Sequence, residues 1–385
     1  METFLGYKRA DGSVGIRNHV AIIPSVACAN GVVAAIARAV PEAVPLYHGH
    51  GCGRAVELDL HVRTLVNLGR HPNVAAILVV GLGCEVIKAE ALAKPIAESN
   101  KPVEYLNIQH TGGTRKSTAC GIEIVRLMLA HVGEMKRGQL PLDGITIGLQ
   151  CGGSDAFSGI TANPTVGLVS DWMVDQGGTV ILTEDTEMIG TSHILERRAC
   201  DPEVAGRIKK MVADAEQLTH DLLGPLAPYV IAPGNMDGGM SSIREKSLGC
   251  ITKAGSSPIN QVVDYGESPT RKGIVLMDGP GYDVESMTGV AAAGSHLMIF
   301  TTGRGSPIGY PIVPVIKVAS TSQMYKQMED DMDINAGVIL EGTPMQVVGT
   351  QILCMVRKVL NGALTKAELN RQDGIVCLYT LHPAF

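Results

Sequence analysis

The sequence predicts an α/β fold: mostly parallel sheets with flanking helices, in two domains. Three observations predict it. Short aliphatic runs alternate with stretches whose apolar residues recur at helical spacing. Asn73–Gly81 is an almost unbroken aliphatic run, as a strand buried on both faces requires. The chain has 385 residues, more than one hydrophobic core commonly organises, and its 45% hydrophobic content supplies material for a second core.

In chain order, His19–Pro24 reads as a strand, Asn30–Ala39 as a helix and Glu57–Leu68 as an amphipathic helix. The aliphatic strand follows. Val86–Glu98 is then helical, with Pro95 expected to kink it or end it early. Val103–Asn107 is a strand, Thr118–Val132 a helix and Asp143–Leu149 a strand. Arg137–Gly144 carries Gly, Pro and Asp and marks a boundary, giving domains of 1–138 and 139–385. The second domain continues with helix Val166–Gln176, strand Thr179–Leu182 and the long polar helix Pro202–Leu222. Pro225–Gly239 reads as a loop or second boundary. Three strands, Gly273–Met277, His296–Thr301 and Val313–Val318, precede a closing helix, Met345–Asn361.

Composition excludes several functions. A net charge of −6, no long basic run and a single Trp argue against nucleic-acid binding. No run of 18 apolar residues exists, and the first residues lack a signal-peptide pattern, so a cytoplasmic enzyme is expected. The nine cysteines are then expected as thiols or metal ligands rather than disulfides.

Chemistry-bearing residues gather just past strand ends, where open parallel sheets bind ligands. Cys28, Cys84 and Cys151 lie there and Cys52 lies in the Gly-rich turn His48–Gly53, three of the four being closely flanked by glycines. Glycine permits the close backbone approach that a ligand cage needs. With His48 or His50, two residues apart in a Gly-rich turn, they form a nitrogen and sulfur set suited to iron or zinc. The competing reading is that each cysteine is a small buried hydrophobe. Cys120, Cys200, Cys250, Cys354 and Cys377 are read that way.

His110 precedes a Gly-rich turn with Thr114 and Arg115 at a helix start, an anion-binding arrangement or a plain cap. Glu184 and Glu187 follow a strand, with His193 six residues beyond, and supply metal ligands or a general base. Arg304 stands between two glycines at a strand end, where its guanidinium can grip a carboxylate with two bonds. Ser154 and Asp155, in Gln150-Cys-Gly-Gly-Ser-Asp155, join the substrate-binding set. A dinucleotide fingerprint is absent: Gly49 and Gly51 are followed by Arg54 at the third glycine position.

Several strings together resemble the altronate and galactarate dehydratase family. They are Gly6–Asn18, Gly81–Glu85, Gln150–Pro164, Glu245–Gly249, Phe300–Gly305 and Asp333–Gly337, in family order along nearly the whole chain. The resemblance implies a lyase that removes water from a sugar acid to give a 2-keto-3-deoxy acid. It implies a requirement for Fe2+, with Mn2+ sometimes helping. Carried over by motif, His48 rather than His50 pairs with Cys52. Cys84 and Cys151 match family cysteines, and Glu184, Glu187 and His193 fall on family positions. That His48, Cys52, Cys84 and Cys151 are the metal set is inferred from their donor chemistry, not stated by the motif.

The chain starts at the Gly6-Tyr7 motif, where family members often carry another domain, so a separate small subunit and a homo- or hetero-oligomer are expected. The ending, Val376–Phe385, differs from altronate-type endings, which leaves the substrate open. Three other readings remain. One is the large subunit of a (2R)-sulfolactate sulfo-lyase. Another is a hydro-lyase whose Cys28, Cys52, Cys84 and Cys151 hold an iron–sulfur cluster. The last is a non-catalytic sugar-acid binding module.

Overall fold

A computed structural model describes residues 2–229 and 231–382 of the chain. Val230, inside the expected Pro225–Gly239 loop, and residues 383–385 of the C-terminal ending lie outside the described residues. The strands are β1 (Thr3–Lys8), β2 (Val14–Gly15), β3 (His19–Pro24), β4 (Val44–Pro45), β5 (Val74–Gly81), β6 (Val103–Asn107), β7 (Gly138–Pro141), β8 (Thr146–Cys151), β9 (Thr179–Leu182), β10 (Ile259–Val263), β11 (Gly273–Met277), β12 (Leu297–Thr302), β13 (Val315–Ala319) and β14 (Ile334–Asn335).

Two parallel sheets dominate. The smaller has the order β4-β3-β5-β6 and the larger the order β10-β11-β9-β8-β12-β13-β14. Each reverses its direction of growth once the first strand is laid down. In the small sheet the chain adds β4 on one side of β3 and β5 on the other. In the large sheet it adds β9 on one side of β8 and later β12 on the other. These reversals open a crevice beyond the carboxyl ends of β3 and β5, and another beyond β8 and β12.

The aliphatic content of the strands explains why both sheets are covered. Every residue of β5, β9, β11, β12 and β13 is buried. Helix Leu58–Arg70 turns Leu65 and Leu68 into the same apolar cluster as Ile23 and Val79 of the small sheet and Val275 and Phe300 of the large one. Each such buried side chain contributes on the order of 1.5–3 kcal/mol. Asn73 joins the two halves as well. Its Oδ1 accepts from Ile16 N at 3.0 Å, and its Nδ2 donates to the carbonyls of His296 at 2.9 Å and Ile312 at 3.0 Å.

Several sequence expectations need correction. Arg137–Gly144, read as a connecting stretch, contains β7, which pairs antiparallel with β1. Its Gly and Pro mask an edge strand that shows no alternating apolar pattern. The helix expected at Thr118 starts at Thr114, and the one expected at Val166 starts at Ala162. Pro95 does not end its helix, which runs Ala89–Ala97. The Pro225–Gly239 loop contains a short helix, Pro233–Asp237. No helix among the described residues is long and apolar enough to cross a membrane.

Candidate active site at the edge of the large sheet

β8 and β12 run side by side, with Thr301 opposite Cys151. The loops that follow them are tied together: the backbone N–H groups of Gly303 and Arg304 donate to the Gly153 carbonyl at 3.1 and 2.8 Å. Glycine is required for so close an approach. A Cβ on Gly303 would lie 2.2 Å from the Asp155 carboxyl carbon, and one on Gly152 would lie 2.4 Å from Asp283 Oδ2.

Below these loops lies a buried ionic group. Cys151 Sγ is 2.6 Å from Glu187 Oε2 and 3.3 Å from Cys250 Sγ. The Cys151 N–H donates to Glu184 Oε2 at 3.0 Å, and Gln150 Nε2 donates to Glu184 Oε1 at 2.6 Å. Ser286 Oγ donates to Gln150 Oε1 at 2.7 Å and so fixes which way that amide faces. Two lysines supply the countercharge. Lys246 Nζ is 2.5 Å from Glu187 Oε1, and Lys253 Nζ is 3.4 Å from Glu184 and 3.8 Å from Glu187. Lys253 is fully buried, whereas the Lys246 side chain keeps 15% of its exposure.

Position explains the protonation of each member. Burial, then the charges of Glu187 and Cys151, push the Glu184 carboxyl well up. Burial also opposes ionisation of Glu187, but Lys246 and Lys253 outweigh it and hold that carboxyl at about 2. The Cys151 thiol is held below its ordinary value. Burial acts against this, but the hydrogen bond from Cys250 and the two ammonium groups prevail. Cys250 is raised by its bond to Cys151 and by burial. Asp283, which faces Gln150, is pushed up to about 6 by burial and then by Glu187. The centre therefore keeps an ionised carboxylate, a thiol biased toward thiolate and two ammonium groups out of water.

Glu184 is also strained. Its φ of +72° places a non-glycine residue in the left-handed region. Such a conformation costs on the order of 1–3 kcal/mol and persists only where the surroundings enforce it. Here the bonds from Gln150 and Cys151 N do so.

The remaining expected residues are dispersed. Arg304 is exposed and lines an open cavity of about 580 Å³ with Asp155, Asp237, Gln323 and Gln327. Asp155 is buried and accepts from Ser158 N and Oγ and from Ser320 Oγ, so its position is structural as well as cavity-facing. Ser154 Oγ is buried without a partner among the described residues. His193 is exposed on the short helix Ser192–Glu196, and His110, Thr114 and Arg115 are exposed beyond β6 of the small sheet.

The expected metal set of His48, Cys52, Cys84 and Cys151 does not converge. Among the described residues, one group of three or more His, Cys, Asp or Glu has ligand atoms within 4.8 Å of one another, and it is Cys151, Glu187 and Cys250. Cys52 and Cys84 are exposed at the small sheet. His48 is buried with both ring nitrogens occupied, Nε2 by the Pro24 carbonyl at 2.6 Å and Nδ1 by His50 N–H at 3.2 Å. Sequence reasoning passed over Cys250, Lys246 and Lys253. Cys250 follows Gly249 but ends a helix rather than a strand, and a helical lysine ordinarily reads as solvated. Lys246 lay inside the Glu245–Gly249 string but was not singled out.

Residues 142–382 match the family model described as D-galactarate/Altronate dehydratase, C-terminal. Residues 6–133 match D-galactarate dehydratase/Altronate hydrolase, second domain. The chain belongs to the galactarate/altronate dehydratase family. The family is one of lyases, and the chain is an enzyme of that class. It is 37% identical to the altronate dehydratase of Bacillus subtilis over 385 residues, covering 96% of this chain and 76% of the relative. It is 35% identical to the galactarate dehydratase (L-threo-forming) of Escherichia coli, covering 94% of this chain and 73% of the relative. It is 34% identical to the (2R)-sulfolactate sulfo-lyase subunit beta of Chromohalobacter salexigens, covering 95% of this chain and 94% of the relative.

Proposed function

We propose that this chain is a metal-dependent hydro-lyase that dehydrates a sugar acid of the altronate or galactarate type to a 2-keto-3-deoxy acid, working with a separate small subunit. The observation that carries the reading is the buried Cys151–Glu184–Glu187–Lys246–Lys253 group at the sheet's reversal point.

Water loss needs a base for the proton beside the substrate carboxylate and an acid for the departing hydroxyl. The Cys151 thiol donates to ionised Glu187 and is held below its ordinary value, so its thiolate form accepts the substrate proton. Lys246 is protonated, touches Glu187 and is the least buried lysine of the group, so it donates to the leaving hydroxyl. Lys253 holds both glutamates in place from below. Arg304 grips the substrate carboxylate at the cavity rim. His193, His110, Thr114 and Arg115 have no part in this scheme.

Two sulfurs and a carboxylate, in Cys151, Cys250 and Glu187, fit a thiophilic divalent ion such as Fe2+ in donor type and spacing. When bound, the ion supplies Lewis-acid charge for the enolate and the departing hydroxide. Lys246 and Lys253 carry the compensating charge without it, so ion binding must compete with them and should tighten as pH rises.

The test is product analysis of the purified chain with Fe2+ and its small subunit, using altronate, galactarate and (2R)-sulfolactate. A 2-keto acid formed from a sugar acid, without sulfite from sulfolactate, is the expected result. Sulfite release would move the chain to the sulfo-lyase reading. Tight binding of all three acids without turnover would make it a binding module.

A further inference from the structure

At the edge of the small sheet the loops after β3, β4 and β5 are bonded to one another in a closed triangle. Ala27 N–H donates to the His50 carbonyl at 2.8 Å, which joins the first loop to the second. Ile87 N–H donates to the Gly51 carbonyl at 3.3 Å, which joins the third to the second. Ser25 Oγ donates to Glu85 Oε1 at 2.9 Å, which joins the first to the third. Gly51 is needed here because its φ is +108° and a Cβ would lie 2.2 Å from the Ser25 carbonyl oxygen.

Each loop of the triangle carries one cysteine, Cys28, Cys52 and Cys84, and all three are exposed. Unligated cysteine is among the side chains most often buried. Three exposed thiols on three mutually bonded loops, beyond the reversal point of a parallel sheet, are therefore unexplained by packing.

A second, independent observation lies beside them. Four histidines of the described chain are buried with hydrogen-bonded rings. In His48, His71 and His296 the Nε2 faces a backbone carbonyl and the Nδ1 accepts a backbone N–H. His61 breaks the pattern. Its Nε2 faces the Tyr379 carbonyl at 3.0 Å, which fixes the proton on that nitrogen, but its buried Nδ1 has no partner. A ring whose outer N–H is held by a carbonyl and whose other nitrogen is bare is the arrangement of a metal-ligating histidine. His61 and Cys52 line the same small cavity, with Gly51, Val86 and Ile87.

We propose that Cys28, Cys52 and Cys84 hold an iron–sulfur cluster, with His61 Nδ1 as the fourth donor. Their sulfurs are not among the groups within 4.8 Å of one another that a single ion would need. A cluster, with iron and sulfide between its thiolates, holds its cysteines farther apart. The cluster assembles on the chain from ferrous iron, ferric iron and sulfide, which together already supply its mixed-valence charge. Each thiol gives up its proton to solvent as its sulfur bonds to iron, and no electron moves between protein and cluster. The site is separate from the Cys151 centre and does not depend on which acid is the substrate.

The test is anaerobic reconstitution of the full chain with ferrous iron, ferric iron and sulfide, read by visible absorbance, by electron paramagnetic resonance after reduction with dithionite, and by iron and acid-labile sulfide content. Wild type, Cys151→Ser and Cys354→Ser should take up iron and sulfide together. The Cys28→Ser/Cys52→Ser/Cys84→Ser variant should lose the cluster, and His61→Gln should keep iron but change the resonance spectrum. Reconstituted wild type should also protect Cys28, Cys52 and Cys84, but not exposed Cys354, from iodoacetamide, a readout that needs no variant to fold. The proposal is overturned by wild type or Cys151→Ser that takes up no acid-labile sulfide, by a cluster that survives the triple substitution, or by unchanged alkylation of the three thiols.

Discussion

The two sheets of this chain end in crevices of the same topological origin but opposite character. Beyond β3 and β5 the thiols of Cys28, Cys52 and Cys84 are exposed, and the charged group between the loops, Glu85, is satisfied by Ser25 and Gly83 N–H. Beyond β8 and β12 the thiols of Cys151 and Cys250 are buried beside two glutamates and two lysines. Identical parallel topology thus offers the same ligand position twice, and burial decides what each can do. In water a thiol is a soft ligand open to exchange. Out of water, next to an ammonium, it becomes one member of a charge-balanced group whose proton affinities are set by its neighbours.

The largest effect that would break this contrast comes from Lys253. Replacing it as Lys253→Met leaves Glu184 and Glu187 facing each other with one cation fewer. We expect a loss of about 3–5 kcal/mol of stability in urea unfolding, as for a broken buried pair, together with loss of turnover. A stability change under about 1 kcal/mol would show that the centre is not held by charge balance.

Next is Cys151→Ser, which keeps the volume but removes the polarisable thiolate. The expected outcome is kcat lower by roughly 10²–10⁴ with a melting temperature near that of wild type. If kcat is unchanged while KM rises, Cys151 acts in binding rather than in proton transfer.

An intermediate effect follows from the buried histidines, which are needed neutral. Burial holds His48 and His296 at about 4, below the ordinary 6.5, because their Nδ1 atoms must accept backbone N–H bonds. A group whose value is depressed on folding contributes stability that is present above 6.5 and lost as pH falls toward 4. Unfolding free energy should therefore drop between pH 6.5 and 4, and His296→Asn should flatten that slope. A flat wild-type profile over the same interval would contradict the neutral assignment.

The smallest expected effect tests the exposed edge. Cys84→Ser should change stability by less than about 0.5 kcal/mol, because the side chain is exposed and buries little. Rapid alkylation of Cys84 in the metal-free folded chain, with Cys151 and Cys250 reacting only on unfolding, would sharpen the difference between the two edges.

Much of the fold was legible in the sequence. Strands β3, β6, β9 and β11 and helix Asn30–Ala39 begin and end where periodicity placed them, because aliphatic runs bounded by Gly, Pro or polar residues leave little choice of ends. Strands β1, β2, β4, β7, β10 and β14 were not legible. All but β1 lie at the edge of their sheet, and β1 lacks an aliphatic run; each is held by a partner strand that satisfies its backbone. Within the candidate site, Cys151, Glu184, Glu187 and Arg304 stood out as loop residues past strand ends. Cys250 and Lys253 did not, because nothing in a helical cysteine or lysine reveals whether it faces solvent or another segment's carboxylates.

By itself the sequence determined the α/β class, the parallel strands, the family and the positions at which ligand-binding loops begin. All of these depend on local pattern or on contiguous strings. Tertiary structure alone decided which loops meet. It separated Cys52 and Cys84 from Cys151, closed the ring nitrogens of His48, left His61 Nδ1 bare and brought Lys253 from residue 253 to the carboxylate of residue 184. The physical reason is that a charge buried away from water must find its partner wherever packing delivers one, and the distance along the chain to that partner leaves no mark on either residue.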